Sequence, residues 1–158
     1  TSWKLRIGER ENAALEPDTI MVTDDNIIVL DAKYYKYGVS GKVSDLPRST
    51  SINKQITYAE YIAENPKFDE KRKDGKEVLN AFLMPFNLGN NRFNANNNYF
   101  SIGEAVADWK SSNKDYERVQ GILVDVKTLM ANSTRPNRQE IKKLSEAIKE
   151  SLELNKKM

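Results

Sequence analysis

Short apolar stretches alternate with turn-forming residues along the chain, and the spacing within each stretch predicts its structure. Strands are predicted where β-branched and apolar residues run together, at residues 19–22, 26–33, 78–86 and 119–128. The polar segment 23–26 is typical of a tight turn, so the first two strands should form a hairpin. Residues 3–15 are mixed in character and could be the frayed end of a helix.

Helices are predicted where apolar residues recur at helical spacing. Residues 52–63 carry one apolar face, and a hydroxyl residue within 49–51 can cap the helix start. A short helix is predicted from an i, i+4, i+7 pattern at Ile102, Val106 and Trp109. An amphipathic helix over 137–154 should begin with the capping box Asn137-x-x-Glu140.

The remaining segments are predicted to be loops, at residues 39–50, 67–76 and 87–98, and the last of these is rich in Asn. The order of strands and helices predicts one α/β domain over residues 1–158, with a central mixed β-sheet flanked by helices.

Two absent residue types narrow the chemistry more than the overall composition does. The 158 residues include no Cys and no His, which excludes disulfides, thiolate zinc sites and His-dependent catalysis. Any catalysis must therefore come from Asp, Glu, Lys, Tyr, Ser or Thr, and a hard cation on oxygen ligands is the expected companion of such groups. The net charge of +2 neither demands nor excludes a nucleic-acid partner. No apolar run can span a bilayer and no secretory signal is visible. Since the chain has no Cys, it gives no sign of an oxidising compartment, and the cytoplasm is the expected location.

The end of the predicted hairpin carries the most informative group of side chains. If the turn centres on Asp24 and Asp25, paired residues have numbers that sum to 49, and Asp18 faces Asp31. Opposed Cβ atoms are about 4.5–5.5 Å apart, so two like charges there are destabilising unless a cation offsets them. Lys33 lies two residues after Asp31 and should point to the same face of the strand.

Such a cluster suits metal-dependent phosphodiester hydrolysis. Asp18 and Asp31 can bind Mg²⁺, with the backbone carbonyl of Ala32 as a further ligand and Mn²⁺ as a substitute ion. Lys33 can orient or deprotonate the attacking water, or stabilise the developing negative charge. The alternative interpretation is an ordinary surface hairpin with charges at its end.

Pro17-Asp18 followed by Asp31-Ala32-Lys33 resembles the signature of the PD-(D/E)XK nuclease superfamily. The segments DAKYYKYG at 31–38 and SINKQITY at 51–58 are similar to restriction endonucleases of the LlaJI type. The stretch also resembles the FokI cleavage domain and the nuclease subunit of McrBC-type systems. The resemblance implies a restriction-endonuclease-like fold, with Asp18 and Asp31 as metal ligands and Lys33 as the catalytic lysine.

The same resemblance implies roles for residues outside the hairpin. Gln55 would correspond to the Gln that many family members carry near the catalytic site, and Tyr58 would accompany it one helical turn later. A further acidic residue before the first catalytic strand would be Glu11 or Glu16, and the sequence does not choose between them.

Basic and aromatic residues near the motif are candidates for contacts with DNA. The DNA-binding residues predicted are Tyr34, Lys36, Arg48, Lys54 and Tyr58. The Asn-rich loop could also hydrogen-bond phosphates or bases. A second Asp-x-Lys, Asp125 to Lys127, follows another apolar strand and is a weaker rival for the catalytic site because no Pro-Asp precedes it at hairpin distance.

The motif cluster together with this resemblance implies the catalytic domain of a Mg²⁺-dependent type II restriction endonuclease, from a bacterial restriction system, that acts on double-stranded DNA. One alternative is the nuclease subunit of a McrBC-like, nucleotide-dependent complex; since the chain has no P-loop motif, the motor would be a separate subunit. Another is a non-catalytic DNA-binding module that keeps the nuclease fold. A homodimer is a further expectation, because nucleases that make double-strand breaks often pair two sites.

Overall fold

A five-stranded mixed β-sheet forms the centre of the protein in the computed structural model, which describes residues 2–4, 9–11, 19–32, 35–128 and 138–158. Its strands are β3 (Thr19–Val22), β4 (Asn26–Ala32), β5 (Glu77–Phe86), β6 (Tyr99–Ala105) and β7 (Val119–Asp125). The spatial order is β3-β4-β5-β7-β6. The three central strands β4, β5 and β7 run parallel, whereas β3 and β6 pair antiparallel at the two edges. The predicted mixed sheet is thereby confirmed.

Helices cover both faces of this sheet. The α-helices that are described in full are α1 (Tyr37–Ser40), α2 (Ser49–Glu64) and α3 (Arg138–Lys156). Residues 126–128 are helical as well, so the strand predicted over 119–128 ends at Asp125. Short 3-10 turns occur at Val43–Asp45, Pro66–Phe68, Lys73–Gly75 and Asp115–Glu117. No helix within the described ranges is both long enough and apolar enough to cross a membrane.

Alternate residues of the central strands face opposite helices. In β4, Ile28 and Leu30 pack in a cluster with Ile148 and Leu152 of α3. The intervening Ile27 and Val29 pack on the other face, in a cluster that contains Tyr58, Ala59 and Ile62 of α2. Because β4 is buried on both faces, its sequence is a continuous apolar run rather than an alternating one. The predicted amphipathic C-terminal helix therefore packs on its own sheet.

Two segments that were predicted to be helical contain strands. The described parts of residues 3–15, interpreted as a helix end, belong to β1 (Ser2–Lys4) and β2 (Glu9–Glu11), which form a separate two-stranded antiparallel sheet. Of the short helix predicted from Ile102 to Trp109, residues 102–105 belong to strand β6 and residues 106–109 are not helical. Strand β6 pairs with β7 through a register shift between Ser101 and Gly103. Pairing with a distant strand outweighed the local helical spacing there, as it commonly does for short apolar runs.

The ends of the helices also differ from the prediction. Arg48 occupies the N-cap of α2 and makes no side-chain capping bond, so the hydroxyl residues at 49–51 lie inside the first turn. Asn137, the predicted cap of α3, lies outside the described residues. Glu140, its predicted partner in the capping box, accepts a hydrogen bond from the Tyr99 hydroxyl at 2.6 Å. Burial and this carboxylate together raise the pKa of Tyr99 well above its usual range.

Candidate active site

The hairpin of β3 and β4 has the predicted register. Its described pairs are Thr19–Leu30, Ile20–Val29, Met21–Ile28 and Val22–Ile27. Thr23 and Asn26 close the turn, since the Thr23 amide donates to the Asn26 carbonyl at 2.9 Å and the Asn26 amide donates to the Thr23 hydroxyl at 3.0 Å. The numbers of each pair sum to 49, so this part of the prediction is confirmed.

Asp31 lies at the carboxyl end of β4, where its side chain is 5% exposed. It is paired with Phe82 of the parallel strand β5. By alternation from Ile27 and Val29, its side chain faces the α2 side of the sheet. A carboxylate is seldom buried without charged or hydrogen-bonding compensation, so the burial of Asp31 makes it a candidate for a functional acid.

Several predicted site residues lie outside the part of the chain that the structure describes. Asp18, Glu16, Lys33 and Tyr34 belong to these unplaced residues, and Glu11 is described only as part of β2. The opposition of Asp18 to Asp31 and the position of the lysine therefore stay predictions. Ala32, the predicted carbonyl ligand, is exposed and ends β4 beside Leu83.

Gln55 of α2 lies against the sheet two residues before Asp31 along β4. Its side chain is 3% exposed, and Nε2 donates to the carbonyls of Val29 at 3.2 Å and of Ala81 at 3.4 Å. The amide thus bridges the neighbouring strands β4 and β5. This placement gives Gln55 contacts with the backbone that carries Asp31.

A second buried amide holds α2 in place. Asn80 of β5 is 1% exposed, and its Nδ2 donates to the Gln55 carbonyl and the Tyr116 carbonyl, both at 3.0 Å. Asn80 is not among the residues predicted from the sequence. Its signal was a polar side chain inside the apolar run of a predicted strand, where an Asn needs buried partners.

The chain after β4 folds over the end of β5. The Tyr35 ring packs edge-on against Phe82, with centroids 6.3 Å apart. Gly38 of α1 approaches the Pro85 backbone so closely that a Cβ at this position would lie 1.9 Å from the Pro85 carbonyl oxygen. The helix can pack there only because Gly has no side chain. Lys36, a predicted DNA contact, is exposed just before α1.

The other predicted DNA contacts divide into exposed and buried groups. Arg48, immediately before α2, and Lys54, on α2, are exposed. The Tyr58 ring is only 8% exposed and belongs to the core between α2 and the sheet. Lys54 Nζ lies 5.5 Å from the centroid of that ring. Tyr58 therefore has a packing role, and the basic side chain covers it.

The rival Asp-x-Lys has a structural partner. Asp125 ends β7 and is half-buried, and its Oδ1 accepts a hydrogen bond from the Leu88 amide at 3.1 Å. This carboxylate anchors the start of the Asn-rich loop. Among the described residues, no group of three or more acidic side chains is close enough together to hold a metal ion.

A family model described as LlaJI restriction endonuclease matches residues 2–107, about two-thirds of the chain. The chain belongs to the LlaJI restriction endonuclease family. It is accordingly a nuclease of the restriction type, and DNA is its substrate. The match to the family runs from β1 through the hairpin, α2 and β5 to the end of β6, so it includes Asp31 and Gln55. Comparisons with curated proteins and with solved structures gave no significant match.

Proposed function

We propose that the chain is the catalytic domain of a Mg²⁺-dependent type II DNA endonuclease of the PD-(D/E)XK kind, with its active site at the carboxyl end of β4. The buried carboxylate of Asp31 at that strand end, within the region that matches the family, carries the proposal. The register of β3 and β4, continued by one pair, would set Asp18 opposite Asp31. Two facing carboxylates would need a cation to be stable together.

The residues assigned to this site suit a hard divalent ion. Asp31, Asp18 and the Ala32 carbonyl would all present oxygen atoms, which Mg²⁺ and Mn²⁺ prefer. A bound Mg²⁺ would polarise the phosphate and lower the pKa of a bound water. The burial of Asp31 supports the assignment, because a cation would compensate the charge of a carboxylate at that depth.

The protein's own groups would then position the reacting atoms. Lys33 would orient the attacking water and accept its proton, or stabilise the negative charge that develops on the phosphate. The water oxygen forms a bond to phosphorus while the bond from phosphorus to the leaving sugar oxygen breaks, and that oxygen takes up a proton. Asp31, at the end of a strand that is buried on both faces, would hold the ion in a fixed position.

Gln55 would act as a positioning residue. Its amide donates to the Val29 and Ala81 carbonyls and so links β4 to β5, two residues before Asp31 along β4. If this is its role, Gln55→Met should lower the rate constant of cleavage at saturating DNA while the affinity for DNA stays within about twofold. A purely structural role would lower the melting temperature and leave the rate constant of the folded protein unchanged.

Exposed cations around the site would hold the DNA backbone. Lys36, Arg48 and Lys54 are exposed in the segments that follow β4, and Tyr34 lies beside them in sequence. Each cation that contacts a phosphate should contribute about 0.9 to the slope of log affinity against log salt concentration. Replacing one of them with Ala should therefore reduce that slope by about one and weaken binding equally for all DNA sequences.

Plasmid cleavage tests the proposal most directly. The unaltered protein, Asp31→Asn and Lys33→Ala would each be incubated with Mg²⁺, with Mn²⁺ and with EDTA. We expect metal-dependent cleavage by the unaltered protein and a loss of at least about 100-fold in both variants. Asp125→Asn is the matched control, because it makes the same change in the rival motif. If Asp125→Asn abolished cleavage and Asp31→Asn did not, the proposed site would be wrong.

Metal binding by calorimetry separates the alternatives if the unaltered protein does not cleave. Binding of Mg²⁺ that Asp31→Asn abolishes would indicate a nuclease that needs a second subunit for recognition or a nucleotide-driven motor. No binding of Mg²⁺ or Mn²⁺ would instead indicate a non-catalytic module. A homodimer would be detected by analytical ultracentrifugation with and without DNA.

A further inference from the structure

The Asn-rich loop, residues 87–98, follows the carboxyl end of β5, and the candidate active site lies at the carboxyl end of β4. Strands β4 and β5 are parallel, so their carboxyl ends point the same way. Ala32 pairs with Leu83, but β5 continues for three more residues to Phe86. At about 3.3 Å per residue, β5 reaches about 10 Å beyond the end of β4. The loop therefore begins beyond the end of β4, at the end of the sheet where Asp31 lies.

One Asn side chain gives this loop its shape. Asn91 Oδ1 accepts hydrogen bonds from the Phe93 and Ala95 amides, both at 3.0 Å. Its Nδ2 donates to the Leu88 carbonyl at 2.9 Å and to the Ala95 carbonyl at 3.4 Å. A single half-buried amide thus satisfies four backbone groups that a loop would otherwise leave to water.

Further contacts attach the loop to three neighbouring elements. The Phe93 ring lies between Tyr37 of α1, at 5.7 Å between centroids, and Phe100 of β6, at 5.8 Å. Arg92 Nε donates to the Val39 carbonyl of α1 at 2.8 Å. The Asp125 carboxylate at the end of β7 accepts a hydrogen bond from the Leu88 amide near the start of the loop. These attachments fix the loop relative to the chain that follows Asp31.

The outer side of the loop is polar and carries no negative charge. Asn90, Asn94, Asn96 and Asn97 are exposed, and their side chains make no hydrogen bond within the part of the chain that is described. Residues 87–98 include no Asp or Glu, and Arg92 is their one charged residue. Amide side chains donate and accept hydrogen bonds, so they can bind phosphate oxygens and the edges of bases alike.

We propose that the Asn-rich loop is a preorganised DNA-contacting surface, and that Asn94, Asn96 and Asn97 contact the groove or backbone beside the cleaved phosphate. The proposal rests on the proposed function for the position of the cleaved phosphate. Because Asn91 and Phe93 already hold the loop in one conformation, binding DNA would cost little ordering entropy. The absence of carboxylates would avoid repulsion by the phosphates.

The test compares two substitutions that make the same chemical change. Asn96→Asp adds one negative charge to the loop without changing the size of an exposed side chain. Asn113→Asp adds the same charge at another exposed position, in the segment between β6 and β7, which lies at the opposite, amino-terminal end of the parallel strands. Fluorescence anisotropy with a labelled mixed-sequence duplex, in EDTA to prevent cleavage, measures the dissociation constant of each variant.

We expect Asn96→Asp to weaken DNA binding about tenfold or more, and Asn113→Asp to change it by less than twofold. Equal losses in the two variants, an unchanged affinity in Asn96→Asp, or no DNA binding by the unaltered protein would overturn the proposal. Since no step of this assay needs cleavage, failure of the metal-dependent nuclease proposal would leave the difference between the variants intact. Duplexes of several sequences then distinguish phosphate contacts, whose loss is uniform, from base contacts, whose loss depends on sequence.

Discussion

Substitution of Gly38 by Ala tests whether α1 packs on the end of β5 as described. The new Cβ would lie 1.9 Å from the Pro85 carbonyl oxygen, whereas real Cβ atoms essentially never come within 3.0 Å of another atom. The helix would therefore have to move by at least about 1.1 Å, the difference between these distances. The obstructing atom belongs to the backbone of a buried strand and cannot rotate away.

The expected cost follows from overpacking of this kind, which destabilises proteins by about 1–3 kcal/mol. We expect the upper part of that range, which corresponds to a fall in melting temperature of about 6–12 °C for a chain of this size. A urea titration, with unfolding monitored by circular dichroism, measures the change in the free energy of unfolding. The displaced helix follows Asp31 closely along the chain, so cleavage of plasmid DNA should fall as well.

Gly89→Ala is the matched control for this substitution. At Gly89 the nearest atom to a new Cβ is the Asn87 side-chain oxygen at 3.5 Å, which is an ordinary van der Waals contact. This variant should stay within about 0.5 kcal/mol of the unaltered protein. If Gly38→Ala were as stable as Gly89→Ala, the close packing of α1 on β5 would be refuted.

Three further substitutions test other parts of the fold. Asn80→Leu should lower the free energy of unfolding by about 1–3 kcal/mol in urea titrations, because two buried carbonyls lose their donor; full stability would refute this. Burial acts to raise the pKa of Glu104, but hydrogen bonds from Arg118 and nearby positive charge outweigh it and leave that pKa lowered. Glu104 should therefore stabilise the protein above pH about 4.5 and lose this effect as pH falls through its folded pKa, so the stability difference from Glu104→Gln should shrink on acidification. Asn91→Ala should speed hydrogen exchange of the Phe93 and Ala95 amides, and unchanged protection would contradict the role of Asn91 in shaping the loop.

Local interactions explain why the register of the hairpin of β3 and β4 could be predicted. The turn is closed by Thr23 and Asn26, three residues apart, and the apolar run of β4 follows at once. A two-residue turn between such strands allows one register, so the pairing followed from the position of the turn. The position of Asp31 at the buried end of β4 is a direct consequence.

The wrong prediction for strand β6 has a non-local cause. Ile102 fits a helical spacing, but its side chain packs where Gly121 of β7 leaves room: a Cβ on that glycine would lie 2.9 Å from Ile102. Gly103 adopts φ of 124°, which accommodates the register shift beside it. Neither relation is visible in a window of neighbouring residues.

The amino-acid sequence by itself determined four of the five strands of the central sheet, the two long helices, the hairpin register and the candidate acid Asp31, because each depends on residues close together along the chain. Only the tertiary structure decided what surrounds that acid. Gln55 reaches Val29 across 26 positions, Asp125 reaches Leu88 across 37, and Arg92 reaches Val39 across 53. These contacts depend on which strands become neighbours in the sheet, and that choice is made by burial of the whole core rather than by any local pattern.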